Sequence, residues 1–431
     1  MIKHTCAGIV GVSGKACIAR FPSDTCFLEK LGPNGVIVDR ADFRLNFQQK
    51  LASVVLLLFF ASFFFPFYLA RENRISEDIQ SGLLSLSPLC ILFLMLPPLL
   101  IALHAFARKG WMKEVTITLS GVLGLFFPMM VLAIVGSDVS DAFGSLARYS
   151  PASGMYLYLT AVIIIFLMKP KFRLYDLSGM ILVALVVMFV ASKGSYDRLG
   201  IVLEGRNFGS RVTREVLAHI RLTFISLGIS IVIGIPLALA SFQGKHAKKI
   251  VFPFLNLLQT IPSIALFGLL ITPLSLLSRT FPFLREMGIK GIGNAPAIIA
   301  LSTYALYPII RYSFTAFSSI EESVIQAAKG MGMNPFQIWR MVRFPLAAPG
   351  LLHGIRVALI QTIGNATLAK LIGGDGLGVL VFEGLGQASV DMVLLGMLLI
   401  IALTIASDRI FQIFIYVVTP PALRGKAVGN G

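Results

Sequence analysis

Long unbroken apolar runs decide what this chain can become. Val54-Val55-Leu56-Leu57-Leu58-Phe59-Phe60 carries no charge and no alternation of apolar with polar residues. A membrane barrel strand would alternate, so the pattern points to helix. Several runs reach about 20 residues, enough helix to cross a hydrocarbon core of about 30 Å. In lipid each backbone N–H and C=O must find its partner inside the protein, and a helix supplies that partner within the segment. Composition agrees: 56% of residues are hydrophobic and 13% charged, too few charges for a soluble domain. The expected fold is all-α, a polytopic membrane protein of about ten transmembrane helices.

The spans fall at approximately 49–69, 83–105, 115–136, 152–168 and 175–192, then at 219–241, 250–272, 294–316, 350–371 and 390–407. Cations gather in alternate connections: Arg108, Lys109 and Lys113; Lys169, Lys171 and Arg173; Lys245, Lys248 and Lys249; Arg340 and Arg343. The intervening connections hold Glu72, Glu77, Asp78, Asp138 and Asp141. The positive-inside rule then places both termini in the cytoplasm. It also accounts for the net charge of +16 without a nucleic-acid partner. One connection breaks the rule. Lys193, Arg198, Arg206, Arg211, Arg214 and Arg221 fall on the outer side. Ser210, Thr213 and Glu215, interleaved with Val212, Val216, Leu217 and Ile220, read as an amphipathic helix lying along the interface. A miscount of one span upstream is the alternative, and it leaves the parity of the second half unchanged.

That stretch is the expected domain boundary. Residues 1–48 read as an N-terminal cytosolic tail, disordered or added by a start codon placed too far upstream. Residues 49–194 form an accessory module of five helices, residues 195–410 carry the motifs, and 411–431 form a C-terminal cytosolic tail. In the first tail, Gly14-Lys15-Ala16 lacks both the first glycine and the Ser/Thr of a phosphate loop. Ser13 and Lys15 interrupt any signal peptide. Cys6, Cys17 and Cys26 match no common zinc spacing, and Cys90 reads as a small core residue. No metal site is expected. With no Walker-type P-loop, no Gly-x-Ser-x-Gly, no His-Glu-x-x-His and no cysteine–histidine cluster, the chain is not expected to be an enzyme. His104 and His353 stand at span ends as interfacial anchors. Asp408 and Arg409 sit near the inner end of the last span and are read the same way.

Between two apolar spans lies a polar, small-residue island, the loop 318–349. Ser319 and Glu322 have the spacing of a capping box, and Glu321 and Glu322 sit where a helix dipole favours acid. Gln326, Ala327 and Ala328 follow, the two alanines offering a flat surface. Gly330 and Gly332 can end that helix. Asn334 caps a second helix that Pro335 starts and that Pro345 and Pro349 close. Such a unit suits a rigid knob that docks in a groove on another protein.

These residues resemble the "EAA" loop of membrane subunits in binding-protein-dependent ABC importers: Glu-Ala-Ala, three residues, Gly, nine residues, Ile-x-Leu-Pro. Here Ala327 and Ala328 are followed after three residues by Gly332, and after nine more by Val342, Arg343, Phe344 and Pro345. Gln326 stands where the motif has Glu, Val342 where it has Ile and Phe344 where it has Leu. The resemblance implies an ABC-importer permease core in the C-terminal half, in a bacterial inner membrane. Gln326, Ala327, Ala328, Gly332 and Pro345 would couple it to cytosolic ABC ATPase subunits, which bind the ATP; this chain needs no cofactor. It further implies an external solute-binding protein and a second permease subunit, identical or related.

Within span seven, Thr260, Pro262 and Ser263 mark a kink, since proline removes a helical hydrogen bond. Residues 258–266 resemble the corresponding span of osmoprotectant permeases, which import glycine betaine, choline, carnitine or proline. Gln361 and Asn365 share a helix face in span nine. Both sets are candidates for the translocation path, with packing and interhelical hydrogen bonds as the alternative. Gly373, Gly374, Gly376 and Gly378 follow as a flexible gate turn or a plain connector, flanked by Lys370 and Asp375, which read as snorkelling charges. From another class, an ion-coupled secondary transporter would show sequence symmetry between the halves and ionisable residues near midplane. The spans mostly lack both.

Overall fold

The computed structural model describes residues 10–12, 15–17 and 40–419, except 75, 83–85, 107–109, 145, 170–172 and 287. The expectations for Cys6, Cys26, Gly14 and most of both terminal tails lie outside these residues. So do the loop cations Arg108, Lys109 and Lys171. The chain divides into two compact units, Met1–Val202 and Leu203–Gly431.

The first unit begins with β1 (Val10–Val12) and β2 (Lys15–Cys17), an antiparallel pair. Helix α1 (Arg40–Ser62) leads into β3 (Pro66–Arg71) and β4 (Ile79–Gly82). Then come α2 (Pro88–Phe106), α3 (Gly110–Phe143), β5 (Arg148–Pro151), α4 (Ser153–Leu167) and α5 (Leu174–Ser192). Span one therefore ends at Ser62. The residues after it, from Pro66, form a strand instead of the last helical turn. Proline holds the residue before it out of the helical region, which breaks the helix there. The strands order as β4-β3-β5, all antiparallel. They tie together the connections after α1 and α3, a detail the continuous apolar run hides.

Tyrosines close the core of this unit. Pro98 lacks the N–H that would bond to Leu94 O within α2. The Tyr158 hydroxyl donates to that carbonyl instead, at 3.1 Å, and its ring stacks edge-on against Phe59 and Phe67. Two sequence expectations change. Lys169 is not a free loop cation: it is buried and ion-paired with fully buried Asp176 of α5 and bonded to Thr118 of α3. His104 is buried rather than interfacial, bonded to Thr116 at 3.2 Å and to Lys113 O at 3.1 Å.

The second unit starts within α6 (Gly200–Gln243), which kinks at Gly209 (φ 38°, ψ −116°). It continues with α7 (Lys245–Thr260), α8 (Ser263–Thr280), α9 (Pro282–Glu286) and α10 (Asn294–Ser318). Span seven is thus two helices. Pro262 cannot donate a hydrogen bond and keeps Ile261 extended (φ −72°, ψ 124°), so the expected kink is a full break. Then follow α11 (Glu322–Gly330), α12 (Pro335–Gln337), a π-helical turn (Ile338–Arg343) and α13 (Phe344–Ala366). A 3₁₀ turn (Thr367–Ile372), α14 (Gly378–Gly386) and α15 (Val390–Val418) complete it. The last span therefore runs past the expected start of the tail at 411, to Val418.

Six helices among the described residues are long and apolar enough to cross a membrane. Helix α10 is long enough but not apolar enough to be one of them, with Ser302, Thr303, Tyr304, Tyr307, Arg311 and Tyr312 along it, and it forms the central post. Four apolar clusters form around it, through Ala300 and Leu301, Ala305 and Ile309, Ala316 and Phe317, and Ile310. Small residues let its neighbours approach. A Cβ on Gly354 of α13 would stand 2.7 Å from Tyr312 Cβ. Across α6, Ser230 donates to Ser302 O at 2.8 Å.

Candidate coupling knob and outer turn

The loop between α10 and α13 folds as a compact knob. Ser319 does not cap α11: it still ends α10, and its hydroxyl donates to Ala316 O at 3.0 Å. Glu321 takes the N-cap position with an extended backbone. At the other end the helix stops in a Schellman turn. Gly332 donates to Lys329 O at 2.9 Å and Met333 to Ala328 O at 3.2 Å. Gly332 holds φ +78°, which side chains with a Cβ rarely adopt. Asn334 then caps α12: its side chain accepts from Gln337 N at 2.9 Å, while Gln337 Oε1 accepts from Asn334 N at 2.8 Å. Pro345 and Pro349 do not close this helix. The chain passes through the π turn, where Phe344 donates five residues back to Trp339 O, straight into α13. The wider turn accommodates Pro345, which has no N–H to give.

Burial sorts the motif residues. Ala328 is 2% exposed, packed with Ile325 and Ile338 and bordered by Met333 and Val342. The expected flat pair of alanines is therefore a single outward alanine, Ala327, beside exposed Gln326. Around them Met331, Phe336 and Met341 are exposed, three apolar side chains on a small polar loop. The knob is fixed to the bundle by rings. Phe317 of α10 lies 5.7 Å from Trp339, 5.6 Å from Phe344 and 5.8 Å from Phe242 of α6. The Arg343 guanidinium stacks over Trp339 at 5.0 Å.

Helices α10 and α13 both meet the knob, so Asn294 and Gly373 mark the opposite end of the core. There Gly293 donates to Ile372 O at 2.7 Å. The glycine turn is held by contacts at several points. Gly373 ends the 3₁₀ turn in the left-handed region, and Gly374 lies close to Ala369. Gly378 lies against Thr367 O, where a Cβ would fall 1.9 Å away. Gly376 (φ +113°) donates to Glu215 Oε2 at 3.0 Å, and Leu377 N donates to His219 Nδ1 at 3.3 Å. His219 Nε2, carrying the proton, donates to Ile363 O at 3.0 Å. Asp375 and Asn294 exchange two hydrogen bonds, at 2.8 and 2.9 Å. Lys370 does not snorkel: with Arg211 it binds Glu383 of α14, at 3.2 and 2.7 Å. Burial works against ionising Glu383. The hydrogen bonds and charges of Arg211 and Lys370 outweigh it and hold the carboxyl below the usual carboxylate range.

The reading of 210–220 as an amphipathic surface helix changes here. Glu215 and His219 are buried, with Thr223, Ser226 and Ser230 following on the same face of α6, while Leu217 is exposed. The sequence reading missed this polar stripe. Its signal was the spacing of four, four, three and four residues, which returns to one helix face.

Thr260 bonds back to Leu257 O at 2.7 Å, and Pro262 and Ser263 open α8. The Tyr304 hydroxyl of α10 donates to Ile261 O, and Gln259 Nε2 donates to Tyr304 O at 3.3 Å. Gln361 and Asn365 are half-buried, and their amides make no hydrogen bond among the described residues. Ile261 and Ala366 join one cluster on α10, so both sets flank the same part of the post. Asp408 is paired within the core: Arg356 of α13 grips it with two bonds, at 2.6 and 3.0 Å.

Residues 230–419 match the family described as binding-protein-dependent transport system inner membrane component. Residues 48–202 match the N-terminal domain of the ABC transporter permease YehY. The osmoprotectant import permease protein OsmW of Salmonella typhimurium is 36% identical over 228 residues, 53% of this chain and all of that protein. The chain belongs to the ABC-importer permease family. In Bacillus subtilis, the glycine betaine/carnitine/choline transport system permease protein OpuCB is 33% identical over 50% of this chain and 93% of its own length. Among solved structures, the inward-facing MetNI methionine ABC transporter shares 24% identity and a TM-score of 0.44, over 50% of this chain and 99% of that one. As a permease of this family, the chain is the multi-pass membrane component of an importer whose family works with a solute-binding protein and an ATPase. The ion-coupled alternative is not favoured.

Proposed function

We propose that this permease imports a small compatible solute of the glycine betaine, choline or carnitine kind, driven by ATP bound to partner ATPases. The observation that carries the substrate class is the likeness over half the chain to permeases named for osmoprotectants. The knob supports the coupling. Gln326 and Ala327 face outward beside Met331, Phe336 and Met341, a small apolar surface suited to a groove on another protein. Ala328, Gly332 and Pro345 hold its shape rather than its contacts.

In this reading ATP closes the ATPase pair, the knob moves with it, and the ring cluster passes the movement to α6, α10 and α13. Two permease copies, identical or related, rock between inward-open and outward-open forms. An external binding protein delivers solute at the end that carries the glycine turn, past Thr260, Pro262, Ser263, Gln361 and Asn365. ATP shifts this equilibrium only as far as it binds one form better than the other. Both termini lie in the cytoplasm, the membrane is a bacterial inner membrane, and the first unit, through Val202, serves as an accessory module to the permease core. In this reading the ATP is bound by the partner subunits and the permease needs no cofactor of its own.

Uptake of labelled glycine betaine by cells lacking the chain, with and without its restoration, tests the reading. Restored uptake that stops on ATP depletion and survives loss of the ion gradient is the expected result. Uptake indifferent to the chain contradicts it.

A further inference from the structure

The second unit holds a cavity of about 400 Å³ at the end of the core opposite the knob. Arg214, Leu217 and Arg221 reach it from α6, Asn294 and Ile298 from α10, and Asp375 from the glycine turn. Its charges are not neutralised from within. Arg221 makes no ion pair and no hydrogen bond among the described residues. Arg214 has one long pair, 3.7 Å from Glu215 Oε1, and its side chain is 72% exposed. Asp375 takes the Asn294 amide at 2.8 Å and has no cationic partner among the described residues. Two guanidinium groups and a carboxylate thus share one cavity without pairing to each other, between apolar walls. All three charged residues are exposed, so water rather than a protein partner balances them when no guest is bound. Charges kept apart leave both signs available to a guest.

A guest that answers all three features carries a carboxylate, a cation and apolar methyl groups. Guanidinium binds carboxylate in a two-pronged fashion, which fixes orientation as well as charge. A quaternary ammonium has no proton to donate, so it needs a nearby anion and apolar contact rather than a hydrogen bond. The volume suits a small solute. We propose that this cavity is a receiving site for a small zwitterion. Arg221 and Arg214 take its carboxylate, and Asp375 faces its cationic end. The inference rests on the import reading above and adds to it a site within the permease itself.

The test compares uptake of glycine betaine with that of choline, which has the same ammonium group and no carboxylate. Membrane levels of each variant are matched by immunoblot. Arg221→Gln should lower betaine uptake at sub-saturating concentration by about tenfold, the scale of one charge-assisted hydrogen bond. It should lower choline uptake by less than about threefold on the same scale. Arg221→Lys should keep about half of the betaine uptake, since the charge remains and the fork is lost. Asp375→Asn should lower both solutes alike. Unchanged betaine uptake in Arg221→Gln overturns the proposal. Equal loss of betaine and choline also overturns it, and marks the surface as a dock for an acidic protein partner. Where choline is not carried, the lysine variant decides: equal loss with Gln and Lys overturns carboxylate recognition. Wild-type cells that carry neither solute remove the import reading itself, before any variant is measured.

Discussion

The two ends of the permease core are held by different forces. The knob is an apolar construction. Ile325, Ala328 and Ile338 seal its inside, and Phe242, Phe317, Trp339 and Phe344 bolt it to three helices. The outer turn is a polar construction. Glu215, His219 and Asn294 hold its backbone, and Glu383 gathers Arg211 and Lys370 beneath it. Packed rings resist compression and pass on a push without depending on one bond. A turn held by a few buried hydrogen bonds is either held or released, which is how a two-state element behaves. On the proposed reading, rigidity and switching divide between the ends of the core: the end that would meet the ATPases is stiff, and the end that would meet the solute is latched.

The sharpest way to break this contrast is at Gly332. Valine there must adopt φ +78°, a genuine outlier for a β-branched residue and about 1–2 kcal/mol or more of strain. Gly332→Val should abolish uptake while the protein stays in the membrane. Normal transport by that variant would show that the shape of the knob does not matter. The next effect falls at the other end. His219→Leu leaves the Leu377 N–H and the Ile363 carbonyl without partners, at about 1–3 kcal/mol each. The thermal midpoint of the detergent-purified protein should fall by several degrees, and an unchanged midpoint would mean the latch contributes nothing. Phe336→Ser touches only the exposed face of the knob. It should weaken co-purification of the ATPase and leave thermal stability within about 0.5 kcal/mol of wild type.

The smallest effect is one of pH. The folded Glu383 carboxyl is depressed below its unfolded value, so its contribution is complete above the ordinary carboxylate range. It is lost as pH falls through the depressed folded value. Glu383→Gln should therefore flatten the acid side of the stability profile and leave neutral pH nearly unaffected by further titration. An acid limb as steep as wild type would place the titrating group elsewhere.

Much of the helical layout was legible because lipid demands long apolar runs, and the knob because its caps and glycines are local signals. Asn334 with Gln337, and Gly332 past the end of α11, act through neighbours within a few residues. Ser319 misled because its hydroxyl had a competing partner in the helix before it. Span seven misled because a proline inside an apolar run reads as a kink, whereas extended Ile261 makes it a break. The sheet after α1 was hidden, since its first strand continues an apolar run and one of its partners, β5, lies beyond α2 and α3. The polar stripe of α6 left a spacing signal, but its burial, like the pairing of Arg356 with Asp408, was hidden for a related reason. Whether a charge in a membrane helix faces lipid or a partner depends on helices that meet only in three dimensions.

The central claim is that one face of the knob, and not its packed inside, meets the motor. Cysteines placed singly at 327 and 328 in the assembled transporter, each alkylated with a short thiol-reactive photo-cross-linker, test it by adduct formation with the ATPase. The account predicts an adduct from Ala327→Cys and none from Ala328→Cys, whose position is 2% exposed. Equal cross-linking at both positions, or none at 327, would contradict it.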